Sequence, residues 1–211
     1  MAACQSCRVF LLGGHDLEMQ TIKQMLEGRD DCVVFDRHLN WGNAILSAYG
    51  DEIKNQPDCT VYGIELKEDI PCPKNYHSID HHNSKESNVS SLEQVADILG
   101  IKLTRQQMLV AANDKGYIPA MMEIGATKEE IADIRLKDRK AQGISDADEH
   151  LAEESIEKFL ATYGELYVVK SLTPHFAPIC DRLYPYHELL IYTDEEWVYY
   201  GKQKANLVEQ L

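Results

Sequence analysis

Arg8-Val9-Phe10-Leu11-Leu12-Gly13-Gly14 opens the readable part of the chain: four consecutive apolar side chains stopped by two glycines. A run this short and this apolar has the size of a strand buried on both faces. Apolar positions then recur at Leu17, Ile22, Met25 and Leu26, a helical spacing that ends near Gly28. Further strands are predicted at 32–35, at Thr60–Ile64 and, after the Pro71-Cys72-Pro73 turn, at Tyr76–Ile79. A helix is expected around 41–49. Short apolar strands alternating with helices predict an α/β fold, a parallel sheet flanked by helices.

Helices accumulate after residue 90, and several begin with a reciprocal capping pattern. Ser91 with Gln94 opens a helix that Gly100 closes, and Thr104 with Gln107 opens one running towards Asn113. Thr127 with Glu130 begins a long helix through Arg139 to about residue 143, and Ser145 with Asp148 begins another that ends near Gly164. Strands at Leu166–Lys170, 189–192 and Trp197–Tyr200 surround a short helical stretch at 176–184. The expected division is a domain at 1–145 that carries the functional site, followed at 146–211 by a helical connector and a small α/β lobe.

Composition narrows the function. Of the 211 residues, 44% are hydrophobic, enough for a sizeable core, and 27% are charged, an ordinary solvated surface. No apolar run approaches the roughly 20 residues that cross a bilayer, and no secretory signal is visible, so a cytoplasmic protein without membrane contact is expected. The net charge is −14, unevenly spread. Residues 1–145 carry 16 Lys and Arg against 22 Asp and Glu; residues 146–211 carry 5 against 13. A polynucleotide track needs cations to displace counterions, so long nucleic acid is disfavoured. Cys4 and Cys7 have CxxC spacing, but no second pair accompanies them, and the six cysteines read as reduced thiols.

Functional groups in a parallel sheet collect at the carboxyl ends of its strands. Four such ends release polar residues here: Gly13-Gly14-His15-Asp16-Leu17-Glu18, Asp36-Arg37-His38, Ile64-Glu65 and Asp80-His81-His82-Asn83. Carboxylate and imidazole ligands without thiolate suit Mn²⁺, Mg²⁺ or Fe²⁺ and do not exclude Zn²⁺. Two such ions a few ångströms apart can activate water and clamp a phosphoryl group.

The Asp80-His81-His82 triplet after a fourth strand resembles the signature of the DHH phosphoesterase superfamily. The likeness spans roughly residues 7–145 in motif order, closing with Asp114 in Ala111-Ala112-Asn113-Asp114-Lys115-Gly116-Tyr117. It implies metal ligation by His15, Asp16, Glu18, Glu65, His81 and Asp114, although His15 stands one residue closer to the carboxylate than the family's histidine. It also implies that Asp80 orients an imidazole and that His82 faces the substrate phosphate as the catalytic pair. Glu18 and Glu65 stand where the family has aspartates, and the last third lacks the Gly-Gly-Gly-His type motif with which many members hold substrate. Arg135, Arg139, His175 and Arg182 are the cationic candidates for that role, although Arg135 and Arg139 also read as an exposed helix face.

The leading expectation is hydrolysis of a small phosphoester, of the nucleotide or short-oligonucleotide class, with one or two Mn²⁺ or Mg²⁺ ions. The alternative is a non-catalytic relative that binds a phosphorylated ligand or a protein partner; a repurposed site acting on a non-phosphate substrate is a third reading, and a homodimer is compatible with all three. The charge distribution generates a first test. A dinucleotide should compete at least as well as a long oligonucleotide across a salt series, because an acidic lobe repels an extended backbone. Tighter binding of the long strand, with a salt slope of several phosphate contacts, overturns this expectation.

Overall fold

The computed structural model describes residues 7–202. The chain divides into two units, residues 1–142 and 143–211.

The first unit contains, in order, β1 Arg8–Leu12, α1 Leu17–Leu26, β2 Cys32–Asp36, a 3-10 turn at Leu46–Tyr49 continuing into α2 Gly50–Lys54, β3 Thr60–Ile64, β4 Tyr76–Ile79, α3 Ser91–Leu99, α4 Arg105–Glu123 and α5 Lys128–Ala141. All strand pairs are parallel, in the order β2-β1-β3-β4. β1 is therefore central, and it is apolar on both faces for that reason. Val9 and Leu11 join Leu46, Tyr49 and Val61 in one core cluster. Phe10 and Leu12 point the other way and are equally buried, with Phe10 stacked on Tyr62 of β3 at 5.0 Å. Helices α1, α3, α4 and α5 pack on one another and supply the cover that a parallel sheet requires.

The expected helix at 41–49 is mostly absent. Asn40 Oδ1 accepts from the Gly42 N–H at 3.0 Å, and Asn43 Oδ1 accepts from the Asn40 N–H at 2.7 Å. Asparagine side chains that capture nearby backbone donors favour turns over helices. The segment is then strapped to the stretch after β3, where Leu46 N–H donates to Lys67 O and Lys67 N–H to Ala44 O, both at 2.9 Å.

A second correction concerns the thiols. Cys7 and Cys59 are joined in a disulfide, their Cα atoms 4.8 Å apart where β1 and β3 begin side by side. Cys32, Cys72 and Cys180 are free. Cys4 lies outside the described residues.

The second unit contains α6 Asp146–Phe159, β5 Ala161–Tyr163, β6 Leu166–Lys170, α7 Ala177–Leu183, β7 Glu188–Tyr192 and β8 Trp197–Tyr200. Its sheet has the order β5-β6-β7-β8, with a parallel β6–β7 pair and antiparallel edges. Ala152, Val169, Ile179, Leu189 and Ile191 form its core. Asp148 both caps α6 through Ser145 and accepts from Thr173 Oγ1 at 2.7 Å, and these bonds hold its carboxyl down at about 2. β5 is an edge strand that the sequence pattern does not show; α6 stops before it instead of running to Gly164. No helix among the described residues is long and apolar enough to cross a membrane.

Gly13 marks where the first unit is tightest. A Cβ there would lie 2.3 Å from Ile64 O and 2.6 Å from Glu65 O, two backbone atoms with no freedom to rotate away. Gly13→Ala should lower stability by about 1–3 kcal/mol, the usual range for overpacking, read as a shift in the urea midpoint. An unchanged midpoint would show that the ends of β1 and β3 can separate without loss.

Candidate metal centre

The chain leaves β1 towards β2 on one side, whereas β3 lies on the other. In an open parallel sheet this reversal opens a crevice at the carboxyl edge. Glu65 sits at that edge with φ +53, a left-handed conformation that non-glycine residues adopt rarely. Its N–H still donates to Ile79 O at 2.8 Å, extending the β3–β4 ladder by one bond. Its carboxylate is buried and accepts from Ser91 Oγ at 2.7 Å.

His81 follows β4 and is the hub. Its Nε2 lies 2.7 Å from Asp114 Oδ2, 3.4 Å from Glu65 Oε1 and 3.6 Å from Glu18 Oε2. The next imidazole, His82, places Nδ1 3.9 Å from Glu65 Oε1 and 3.4 Å from Asp80 Oδ1. Glu65, His81, His82 and Asp114 each offer a donor atom, and these all fall within 4.8 Å of one another. Short distances here do not mean hydrogen bonds. His81 Nε2, Asp114 Oδ2, His82 Nδ1 and Glu18 Oε2 are buried atoms with no hydrogen-bond partner of acceptable geometry.

Buried polar atoms are nearly always paired, so four orphans around one point require a reason. Charge supplies one. Three carboxylates surround a single imidazole nitrogen, and removing charges from water is costly unless they are compensated. Burial alone opposes a charged His81, yet Asp114, Glu18 and Glu65 outweigh it and push the imidazole up to about 12. Glu18 is held well above the usual carboxylate range, chiefly by burial. Burial also pushes Asp16 up to about 7, with Asp114, Glu65 and Asp138 adding repulsion. One imidazolium cannot neutralise this set, whereas a divalent cation can. The group offers a metal ion two carboxylates and two imidazoles, a mixed donor set that several divalent metals accept, Mn²⁺ and Zn²⁺ among them.

The remaining residues singled out in the sequence take varied places. Glu18 borders the group through His81, and its Oε1 accepts from the Leu92 N–H at 3.0 Å. Asp16 is buried close by, but its Oδ1 is engaged in capping α1 through Met19 N–H at 2.8 Å. His15 is exposed and outside the ligand group; its ring meets His38 edge-on at 5.5 Å in a depression beside α1. Asp80 serves His82, not His81, accepting from its backbone N–H at 2.9 Å and lying 3.6 Å from Lys85 Nζ.

Arg135 and Arg139 are both buried, contrary to the reading of α5 as presenting them on an exposed face. Arg135 donates to Asn113 Oδ1 at 2.9 Å and Asp138 Oδ2 at 2.7 Å, and its guanidinium lies 4.3 Å over the Tyr117 ring. These partners fix α4, whose backbone breaks at Gly116 and Tyr117 just after Asp114, with Tyr117 at φ +60. Asp138 Oδ1 also accepts from the Leu17 N–H at 3.3 Å, tying α5 to the start of α1. His175 and Arg182 belong to the second unit, where His175 is exposed and Arg182 pairs with Glu149 at 2.8 Å. Ser91, Asn113, Tyr117 and Asp138 carry no comparable signal in the sequence; only the Asn113-Asp114 juxtaposition hints at one of them.

Among solved structures, the chain is similar to a pGpG-specific phosphodiesterase, PggH from Vibrio cholerae, at 15% identity and a TM-score of 0.41. The alignment covers 95% of this chain and 79% of that one. No protein-family model matches the chain, and no curated protein does.

Metal affinity tests the centre directly. Calorimetric titration of chelator-treated protein with Mn²⁺ should give one site per chain. His81→Ala should weaken it by more than about 100-fold, and Asp80→Ala by about 10–100-fold, as loss of a partner that orients a ligand typically does. Circular dichroism should show both variants folded. Unchanged affinity in both would return the triplet to a purely structural role.

Proposed function

We propose that this chain hydrolyses a small phosphoester with the aid of one divalent cation held by Glu65, His81, His82 and Asp114. The observation that carries this reading is the convergence of buried, unpartnered donor atoms at the carboxyl edge of the sheet. The order of motifs along the chain, which resembles that of the DHH phosphoesterases, supports phosphorus as the centre attacked. When bound, a divalent ion supplies Lewis acidity towards a phosphoryl oxygen and a lowered pKa for water.

The roles of the protein groups follow from their surroundings. Glu18 and Glu65 receive N–H and O–H donors from the first turn of α3, so their carboxylates are oriented before any ligand arrives. His81 and Glu65 are almost wholly enclosed, which excludes bulk water from that side. His82 has a side chain 37% exposed and opens onto the neighbouring depression lined by Trp41, Lys67 and Lys85. It is the ligand placed to meet a phosphoryl oxygen or a leaving group. Asp80 beside it sets the position of the His82 backbone. A compact phosphoester suits this arrangement, since the cations at the mouth are few.

The test is turnover of a dinucleotide and of an aryl phosphodiester with Mn²⁺ and with Mg²⁺. Activity should vanish with a chelator, return with metal, and fall by at least about 100-fold in Asp114→Asn, comparable to losing one strong charge-stabilising group. Turnover indifferent to chelator sinks the reading. One-site metal binding without turnover of any phosphoester would instead favour the non-catalytic alternative, in which the same centre binds a phosphorylated ligand.

A further inference from the structure

The depression beside the metal centre has a volume of about 470 Å³ and includes both Glu65 and His82. Across its mouth stands Trp41, 54% exposed although it is among the largest apolar side chains in the protein. An exposed indole means little when scattered on a surface. This one is held in place. The turn at residues 40–43 is closed by Asn40 and Asn43, and the following bridge to Lys67 fixes the segment against the end of β3. A Cβ built on Gly14 would lie 3.5 Å from the Trp41 ring, and the His82 ring centroid lies 5.3 Å from that of Trp41. The indole thus spans from the end of β1 to the candidate metal ligands.

Around it the walls are polar. Lys67 is exposed, and Lys85 Nζ is held 2.7 Å from Ser78 Oγ and 3.6 Å from Asp80. Asn83, with φ +53, and Ser84 offer amide and hydroxyl groups. Glu68 and Asp80 share this lining, so the walls carry carboxylates as well as ammonium groups. A flat apolar face with donors and acceptors around it, beside the candidate metal centre, makes a site for a planar ring that carries hydrogen-bonding edges, its attached phosphate directed to the metal centre and not to the walls.

We propose that Trp41 is a specificity-determining residue that stacks a nucleobase, so that the phosphoester recognised here belongs to a nucleoside phosphate and not to a sugar phosphate or a polyphosphate. The inference rests on the phosphoester reading for its reacting group, but the base contact is separately testable. Stacking of a base on an aromatic side chain is tolerant of base identity, because every base presents a π-face. Purine and pyrimidine nucleotides should therefore both bind, the larger ring more tightly.

The protein's two tryptophans, Trp41 and Trp197, allow a direct readout. Trp197 lies in β8 of the second unit, so Trp197→Phe leaves Trp41 as the sole indole reporter. In that variant, with Mn²⁺ present, AMP should quench the indole emission in a saturable manner, whereas ribose 5-phosphate should not. In the otherwise wild-type chain, Trp41→Ala should weaken AMP binding by roughly thirtyfold, the middle of the range for loss of one stacking contact, and leave ribose 5-phosphate unaffected. Trp41→Phe should recover most of the loss. Equal quenching by the two ligands, no quenching by AMP, or equal weakening of both ligands in Trp41→Ala overturns the stacking role. Quenching by AMP in a protein that turns over no phosphoester would leave the base site standing and remove the hydrolytic reading; metal-dependent turnover without quenching would do the reverse.

Discussion

Three carboxylates crowd one buried imidazole nitrogen, and most of the first unit can be understood as the apparatus that holds them there against their mutual repulsion. Glu65 is delivered by β3 in a backbone conformation that side chains avoid, Asp114 by a helix that breaks immediately afterwards, and Glu18 by the first turn of α1. The placement of Glu65 is unfavourable in isolation, whereas a carboxylate such as Glu18 in the first turn of a helix is not. Residues held in sparsely populated conformations persist only where their surroundings over-determine them, and they gather at functional sites. Of the four non-glycine residues with positive φ among the described residues, Glu65, Asn83 and Tyr117 belong to the candidate ligand group or lie within three residues of it, whereas His38 lies beyond β2.

The restraint comes from a second set of buried charges. Arg135 and Asp138 form an ion pair three residues apart on α5, and Asn113 joins both. Because Asp138 also receives the Leu17 N–H, this one network touches α4 beside Asp114 and α1 between Asp16 and Glu18. A buried ion pair is weak evidence for stability in itself, because desolvation offsets its attraction. Its better attested use is to select one arrangement over others, and here the selected arrangement is the angle at which α4, with Asp114, meets the start of α1, beside Glu18.

How much of this is legible in the sequence depends on how local each signal is. The strands are legible because β1 and β3 are short apolar runs with glycine or a polar residue at their ends. The candidate ligands Glu65, His81 and Asp114 are legible because strand ends and motif order point to them. The start of α3 shows the limit. Ser90-Ser91 followed by Glu93-Gln94 satisfies the capping pattern in two registers, and the expected cap, Ser91 with Gln94, is not the one formed. The structure uses Ser90 with Glu93, which frees the Ser91 hydroxyl for Glu65, a partner 26 residues earlier. Arg135 is similar: charge four residues from Arg139 reads as a solvated stripe, whereas its burial goes with Asp138 on the same helix and with the distant Asn113 and Tyr117. The helix expected at 41–49 gives way to two asparagines whose side chains compete with helical hydrogen bonding.

Four successive helices, α3 to α6, each begin with a reciprocal cap written within four adjacent residues: Ser90 and Glu93, Thr104 and Gln107, Thr127 and Glu130, Ser145 and Asp148. Their starting points need nothing from the rest of the chain. The central strand is in the opposite position. Both edges of β1 are satisfied by strands that come later, β2 first and β3 only after another stretch of chain, and parallel pairing of this kind is slow because the loop must close before any contact rewards it. As the polypeptide emerges during synthesis, the most apolar strand of the sheet is therefore made before either neighbour and waits longest with its hydrogen-bonding edges open. The interval before β3 arrives is when this protein is most exposed to aggregation.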